Sequence, residues 1–261
     1  MDRERFLETC RNAEQYRTGS GGIGTLAEKT LHAVLKHYLE PDVSRHEVRV
    51  GANVADILED DGIIEIQTRN FFGLKKKFDA LLTEYPITVV YPVAHQKWLC
   101  WVDPETGEVT KRRKSPKTGS ACDCFLELRW IIPYLKSEHL RFRILLIDLV
   151  EYRRLDGWSR DKKSGSTRFE RVPESLYDEI VIEGPGDFRK LIPENLPEPF
   201  TTAEFSKAAH ISVFAARTGL NILSFVGAVE KCGKRGRAAL YQKTVSAPET
   251  AGRMEVSSSS C

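Results

Sequence analysis

The chemically suggestive residues of this chain cluster near residue 60: Asp56, Glu65 and Gln67. They lie in the stretch Asn53-Val-Ala-Asp56, the turn Glu59-Asp-Asp-Gly62, and Ile63-Ile-Glu-Ile-Gln-Thr68. Two short apolar runs around a tight acidic Gly turn predict a β-hairpin. Strand side chains alternate faces, so Glu65 and Gln67 share one face and Ile64 and Ile66 the other. The isoleucines can pack into a core while the polar pair looks into a cleft. Asp56 stands between Ala55 and Ile57, a carboxylate among apolar neighbours. Solvated edge strands also carry acids, so either acid alone means little. The informative feature is the array of an Asp, a hairpin turn and a Glu-x-Gln inside an Ile-rich strand.

That array resembles the PD-(D/E)xK nuclease superfamily, whose site is an Asp ending one strand and a (D/E)-x-K on the next. Asp56 matches the first acid and Glu65 the second; Gln67 stands where lysine is usual, and Val54-Ala55 precede Asp56 in place of Pro. The resemblance implies an α/β, restriction-endonuclease-like fold, a mixed sheet flanked by helices. It also implies a metal-dependent DNA endonuclease, with Asp56 and Glu65 binding Mg²⁺ as hard carboxylate ligands and Mn²⁺ able to substitute. The metal would lower the pKa of its water and stabilise the charged transition state. Gln67 would orient the water without offering a positive charge. Superfamily members often place a glutamate in the first helix, which makes Glu28 the third carboxylate, as both catalytic group and metal ligand. Without the resemblance, Glu28 is an ordinary acid at a helix start.

The elements that must position these groups follow in order. Residues 2–17 predict a short helix. From about Ile23 to Leu39 the spacing is helical, with Leu31, Val34, Leu35 and Tyr38 on one stripe. Val43 to Val50 reads as a first strand, the hairpin follows, Gly73–Leu82 reads as a helix, and Pro86–Tyr91 as a buried strand. Helix, three strands, helix, strand is the core order of the PD-(D/E)xK fold, so the resemblance covers roughly residues 20–95. The Lys75-Lys-Lys77 run is usually a solvated face. In a nuclease Lys75 and Lys77 would contact phosphate, or the run would supply the missing lysine from the neighbouring helix.

Beyond this core, Trp98–Val109 predicts a hairpin, Ala121–Leu135 a helix, Leu140–Val150 a long strand and Tyr177–Ile182 another. The basic loop containing Lys111, Arg112 and Arg113 reads equally as a solubilising segment or as phosphate contacts. Pro193–Pro199 is a stiff linker separating a domain of residues 1–195 from one of residues 199–244. Thr201-Thr-Ala-Glu204 is a capping box that opens a helix. A second helix begins at Ser212, and Val229–Tyr241 forms a basic hairpin with a Gly turn. Helix, turn, helix and hairpin resemble a winged helix-turn-helix domain. The resemblance implies that Arg217 and Asn221 face a DNA groove and that Lys231, Lys234, Arg235 and Arg237 contact phosphates. Many winged helices bind proteins instead. Residues 245–261, ending in a serine run, read as a disordered tail.

Composition bounds the rest. In 261 residues, 41% are hydrophobic and 29% charged, as in an ordinary globular chain, and the formal net charge is only +2. Nucleic-acid affinity must therefore come from local patches. There is no long uncharged apolar segment for a membrane helix, and Met1-Asp-Arg-Glu-Arg lacks a signal-peptide core; a cytoplasmic protein with no membrane partner is expected. Six cysteines show neither a disulfide framework nor a zinc site. Gly19–Gly24 fits the G-x-G-x-x-G fingerprint, but the polar run before it is no strand, so no organic cofactor is expected. Cleavage of both DNA strands would favour a homodimer. The alternative is a nuclease fold that has lost catalysis and serves as a DNA-binding or regulatory module, with Gln67 the mark of that loss.

Overall fold

A computed structural model of the chain describes residues 1–13, 29–156 and 165–244. Its centre is a seven-stranded mixed sheet flanked by helices. Strands β1 (His46–Val50), β2 (Asn53–Glu59) and β3 (Gly62–Ile66) form an antiparallel meander. β4 (Ile87–Val102) pairs parallel to β3, and the two-residue β5 (Arg113–Lys114) pairs with the outer part of β4. β6 (Leu140–Arg154) lies parallel to β4, and β7 (Thr167–Ile182) pairs antiparallel with β6. The order across the sheet is β1-β2-β3-β4-β6-β7.

The hairpin turn needs its glycine. Gly62 has a φ of 155°, and a Cβ there would lie 2.5 Å from the Pro86 carbonyl oxygen, so only glycine admits the β4 entry this close. A parallel pair needs a crossover, which α3 (Lys75–Leu81) supplies between β3 and β4.

Helices α1 (Arg3–Arg11) and α2 (Lys29–Leu39) cover one face of the sheet. Leu31, Leu35 and Tyr38 pack there with Phe6, Ile57, Ile64 and Ile66. The other face carries the larger core, in which Ile63, Phe71, Phe78, Val89, Phe125 and Phe142 are buried. Ile64 and Ile66 thus face α1 and α2, while Ile63, two residues before Glu65, belongs to the α3 side.

Several expected elements differ. The run Ala121–Leu135 is not one helix but a 3-10 turn (Ala121–Cys124), the single-turn α4 (Phe125–Leu128) and a second 3-10 turn (Ile132–Tyr134). Pro133 has no N–H to donate and obstructs a continuous helix. Phe125, Leu128, Ile131 and Leu135 are nevertheless buried. β4 and β6 run past the expected lengths as one ladder, with an irregularity between Ala94 and Lys97.

The C-terminal segment contains β8 (Phe200–Thr201), α5 (Thr202–Ala208), α6 (Val213–Phe225), β9 (Val229–Arg235) and β10 (Ala238–Lys243). These strands form a separate sheet, β8-β10-β9. Thr201 and Glu204 make the expected capping box. The segment shares its core with the large sheet: Phe200, Phe205, Leu220 and Leu223 belong to the same cluster as Phe125 and Ile63. Gly219, anomalous by helix propensity, is explained by that packing. A Cβ on it would lie 2.5 Å from the Phe125 ring. Among the described residues no helix is long and apolar enough to cross a membrane.

Candidate active site

The site forms where β2 and β3 separate. Their ladder runs through Glu59↔Gly62, Leu58↔Ile63 and Ile57↔Ile64, and the next opposed residues would be Asp56 and Glu65. There, β2 continues against β1, through Ala55↔Val48, and β3 against β4, through Glu65↔Val89 and Ile66↔Val90. The Ile66 N–H points into the gap and must find an acceptor. The Asp56 carboxylate supplies it, with Oδ2 accepting at 2.8 Å. A side-chain oxygen therefore replaces a carbonyl, and the carboxylate is fixed between two diverging strands.

Glu65 is buried, at 2% exposure. Lys77, on α3, brings Nζ to 2.5 Å from Glu65 Oε1 and also donates to the Val54 carbonyl at 2.7 Å. The ammonium makes an ion pair without a well-aligned hydrogen bond, and Oε1 is otherwise buried without a hydrogen-bond partner. Burial first, and the charge of Asp56 second, push the Glu65 carboxyl up to about 7, against the opposing pull of Lys77. Two acids facing each other with only one ammonium between them share the energetic problem of any close carboxylate pair.

Asp56 behaves oppositely. Burial opposes its charge, but His32, the Ile66 N–H and Lys77 outweigh burial and hold its carboxyl below the usual range. His32 Nε2, on α2, lies 3.3 Å from Asp56 Oδ2. Glu47, on β1, is a further acid near Asp56; its carboxyl is lowered chiefly by the Lys36 ammonium, 2.6 Å away. Sequence reasoning missed His32, Lys36 and Glu47. The available signal was weak: His32 falls four residues, about one helical turn, after Glu28.

Of the residues expected in the site, the structure brings together Asp56 and Glu65. Gln67 follows directly on β3, half-buried, with its N–H donating to the Val90 carbonyl at 2.9 Å. Glu28 lies outside the described residues, as do the Gly19–Gly24 motif and residues 245–261. Of the lysine run, Lys77 reaches Glu65, whereas Lys75 Nζ sits 4.9 Å from the centre of the Phe72 ring.

The other proposed phosphate contacts divide into engaged and exposed. Arg112 is held by Glu174 through bonds of 2.6 and 2.5 Å and lies over the Trp98 ring at 4.1 Å, so it fastens strands together rather than standing free. Arg235 is similarly committed, to Glu204 Oε1 at 2.7 Å and the Pro199 carbonyl at 3.2 Å. Lys111, Arg113, Lys234 and Arg237 are exposed, as are Arg217 and Asn221 on α6.

Among the described residues, no group of three or more His, Cys, Asp or Glu side chains is arranged to hold a metal ion. The donor chemistry of Asp56 and Glu65 still fits Mg²⁺, which commonly binds through one or two carboxylates and completes its shell with water and phosphate oxygens. The Glu65 carboxyl, raised first by burial and then by the Asp56 charge despite the Lys77 ammonium, is a feature a further cation would relieve.

Residues 29–183 match the family described as "Domain of unknown function (DUF8091)". A protein of Treponema pallidum (strain Nichols), described as "Uncharacterized protein", is 30% identical over 224 residues, covering 85% of this chain and 87% of its own length. No solved structure matches the chain. The chain belongs to the DUF8091 family, whose matched region contains Asp56, Glu65 and Lys77.

Proposed function

We propose that this DUF8091 protein is a Mg²⁺-dependent DNA endonuclease of the PD-(D/E)xK type, with Mn²⁺ able to substitute. The observation that carries the reading is the Lys77 ammonium 2.5 Å from Glu65 Oε1, across from Asp56 at the parting of β2 and β3. That ammonium provides the positive charge that Gln67 cannot.

Each residue then has a role its environment supports. Asp56, kept ionised by His32 and the Ile66 N–H, is a permanent anionic ligand. Glu65, with a carboxyl near 7, can gain or lose a proton near neutral pH. Lys77 places a cation where negative charge on a phosphate would develop. Gln67 orients water through its carboxamide, and His32 is a positioning residue that acts through Asp56. A bound metal ion, held by Asp56 and Glu65, would lower the pKa of water and neutralise phosphate charge. The helix-turn-helix and hairpin of residues 199–244 fit a winged helix that holds duplex DNA, its exposed cations including Arg217, Lys231, Lys234 and Arg237.

The test is nicking of supercoiled plasmid in Mg²⁺ or Mn²⁺. Asp56→Asn and Glu65→Gln should each lose activity about 100-fold or more, and Lys77→Met about 10- to 100-fold, the scale of removing a preorganised charge. Absence of nicking of plasmid and single-stranded DNA with both metals, or equal nicking by all variants, defeats the proposal. The second reading, a catalytically silent DNA-binding or regulatory module, is favoured by one observation. Lys77 and His32 already offer partners to both acids, as they would in a purely structural polar cluster.

A further inference from the structure

We infer that a ridge of exposed rings, running from the segment after β3 to α6, binds single-stranded DNA by base stacking. The inference deepens the nuclease reading and rests on it only for the delivery of that strand to Asp56 and Glu65.

Phe72 is 56% exposed, Trp130 41% and Phe214 59%. They are not scattered. The Phe72 and Trp130 rings meet edge-on with centroids 5.9 Å apart. The Arg129 guanidinium lies 4.6 Å from the Trp130 ring centre and 5.7 Å from that of Phe214, bridging the two. Lys75 caps the Phe72 end. On α6 the surface continues through Arg217, Asn221 and Phe225, spaced by helical turns from Phe214. Lys136 Nζ sits 4.7 Å from the Phe225 ring centre.

The charged groups seated on these rings, Lys75, Arg129 and Lys136, are cations. α6 contains no Asp or Glu. Of the acids in the same segments, Glu127 accepts the Phe71 N–H at 3.1 Å, Asp79 accepts the Tyr134 hydroxyl at 2.6 Å, and Glu138 is exposed two residues after Lys136. Alternating rings and cations match a polymer of alternating flat bases and phosphates. Arginine planes stack on bases as well. A duplex keeps its base faces inside the stack, so Phe72, Trp130 and Phe214 can take only unpaired bases. A helix reading a major groove presents polar groups to base edges. α6 presents Phe214 and Phe225 on the same stripe as Arg217 and Asn221.

The ridge is joined to the candidate active site through α3. Phe72 follows Gln67 by five residues, and Lys75 and Lys77 occupy the same short helix, one at the Phe72 ring and the other at Glu65. On the nuclease reading, α3 is the element that links a strand held on the ridge to the acid pair.

The experiment measures anisotropy of a fluorescein-labelled oligo-dT and of a duplex of equal length with the full chain in EDTA, so that binding is read without cleavage. Trp130→Ala and Phe214→Ala should each weaken oligo-dT binding about tenfold while changing duplex binding little, and Trp130→Phe should retain affinity because it keeps a ring to stack on. Arg129→Gln should lower both the affinity and its dependence on salt. Circular dichroism melts identify any variant that fails to fold, in which case the remaining ring variant decides. Unchanged oligo-dT affinity in a folded Trp130→Ala or Phe214→Ala protein overturns the inference, as does the absence of oligo-dT binding by the wild type. Plasmid nicking by the same proteins separates the two ideas. Nicking with no ring-dependent binding leaves the nuclease and removes the ridge; ring-dependent binding without nicking does the reverse.

Discussion

Glu65→Gln should flatten the dependence of stability on pH. In the folded chain, burial and then the Asp56 charge raise the Glu65 carboxyl from the ordinary 4.5 to about 7, and unfolding returns it to the ordinary value. Between those two values the folded state holds a proton that the unfolded state has released. Stability of the wild type therefore falls as pH rises through that window. At about 1.4 kcal/mol per pKa unit, the full effect is about 3 kcal/mol, most of which develops between roughly pH 5 and 8. Asp56 does not mask it. Its carboxyl is held below the ordinary 3.8, so its stabilisation is complete above that value and is lost only as pH falls through the depressed one. For a chain of this size, about 2–3 kcal/mol corresponds to a Tm change of roughly 5–10 °C. Thermal melts of wild type and Glu65→Gln, followed by circular dichroism from pH 5 to 8, give the two slopes. Any change in packing made by the substitution offsets the variant at every pH, whereas the slope isolates the proton. Parallel curves would refute the reasoning, because Glu65 would then not be the group holding it.

Added Mg²⁺ or Mn²⁺ should raise the Tm of the wild type and not of an Asp56→Ala/Glu65→Ala variant; equal shifts in a thermal melt would mean non-specific ion binding. Gly219→Ala, a substitution that stabilises an ordinary exposed helix by about 1 kcal/mol, should here destabilise by about 1–3 kcal/mol because the new methyl meets the Phe125 ring, as urea unfolding would measure. Lys234→Glu with Arg237→Glu should weaken duplex binding and reduce the slope of log K against log salt by about 2, since each lost phosphate contact removes about 0.9. Asp56→Asn should leave duplex affinity intact or higher, because it removes an acid from beside the phosphates.

Local signals made the hairpin readable. Alternation of Ile64 and Ile66 against Glu65, with Gly62 at the turn, fixes both the faces and the register, and Thr201 with Glu204 marks the start of α5 just as locally. Other features depend on packing between distant segments. The sequence offered Lys75, Lys76 and Lys77 together, and only the phase of α3 against the sheet sends Lys77 to Glu65 and Lys75 to Phe72. His32 is a polar residue on an amphipathic helix until α2 is laid across β2 and β3. Composition cannot separate Arg112 and Arg235, consumed by Glu174 and Glu204, from the neighbouring exposed cations. Apolar spacing over Ala121–Leu135 fits one helix or three short turns that bury the same residues, and Pro133 was the local feature against a continuous helix.

The departure of Gln67 from the superfamily pattern looks different once the neighbouring helix is in place. A lysine at position 67 would reach the acid pair from the same strand, since residues two apart share a face. Electrostatics depends on where the ammonium ends, not on which element carries its backbone. α3 begins within ten residues of Glu65, and its third residue delivers Nζ to 2.5 Å from the carboxylate, steadied by the Val54 carbonyl. On the nuclease reading, this relocation has a consequence that a strand lysine would lack. The charge at the acid pair is mounted on the same short helix as Lys75, which sits at the exposed Phe72 ring. A strand of DNA seated on Phe72 and Lys75 would bear on the same short helix that carries Lys77 to Glu65, so a Lys77→Met protein that keeps its ridge should still bind oligo-dT while losing the charge at the acid pair.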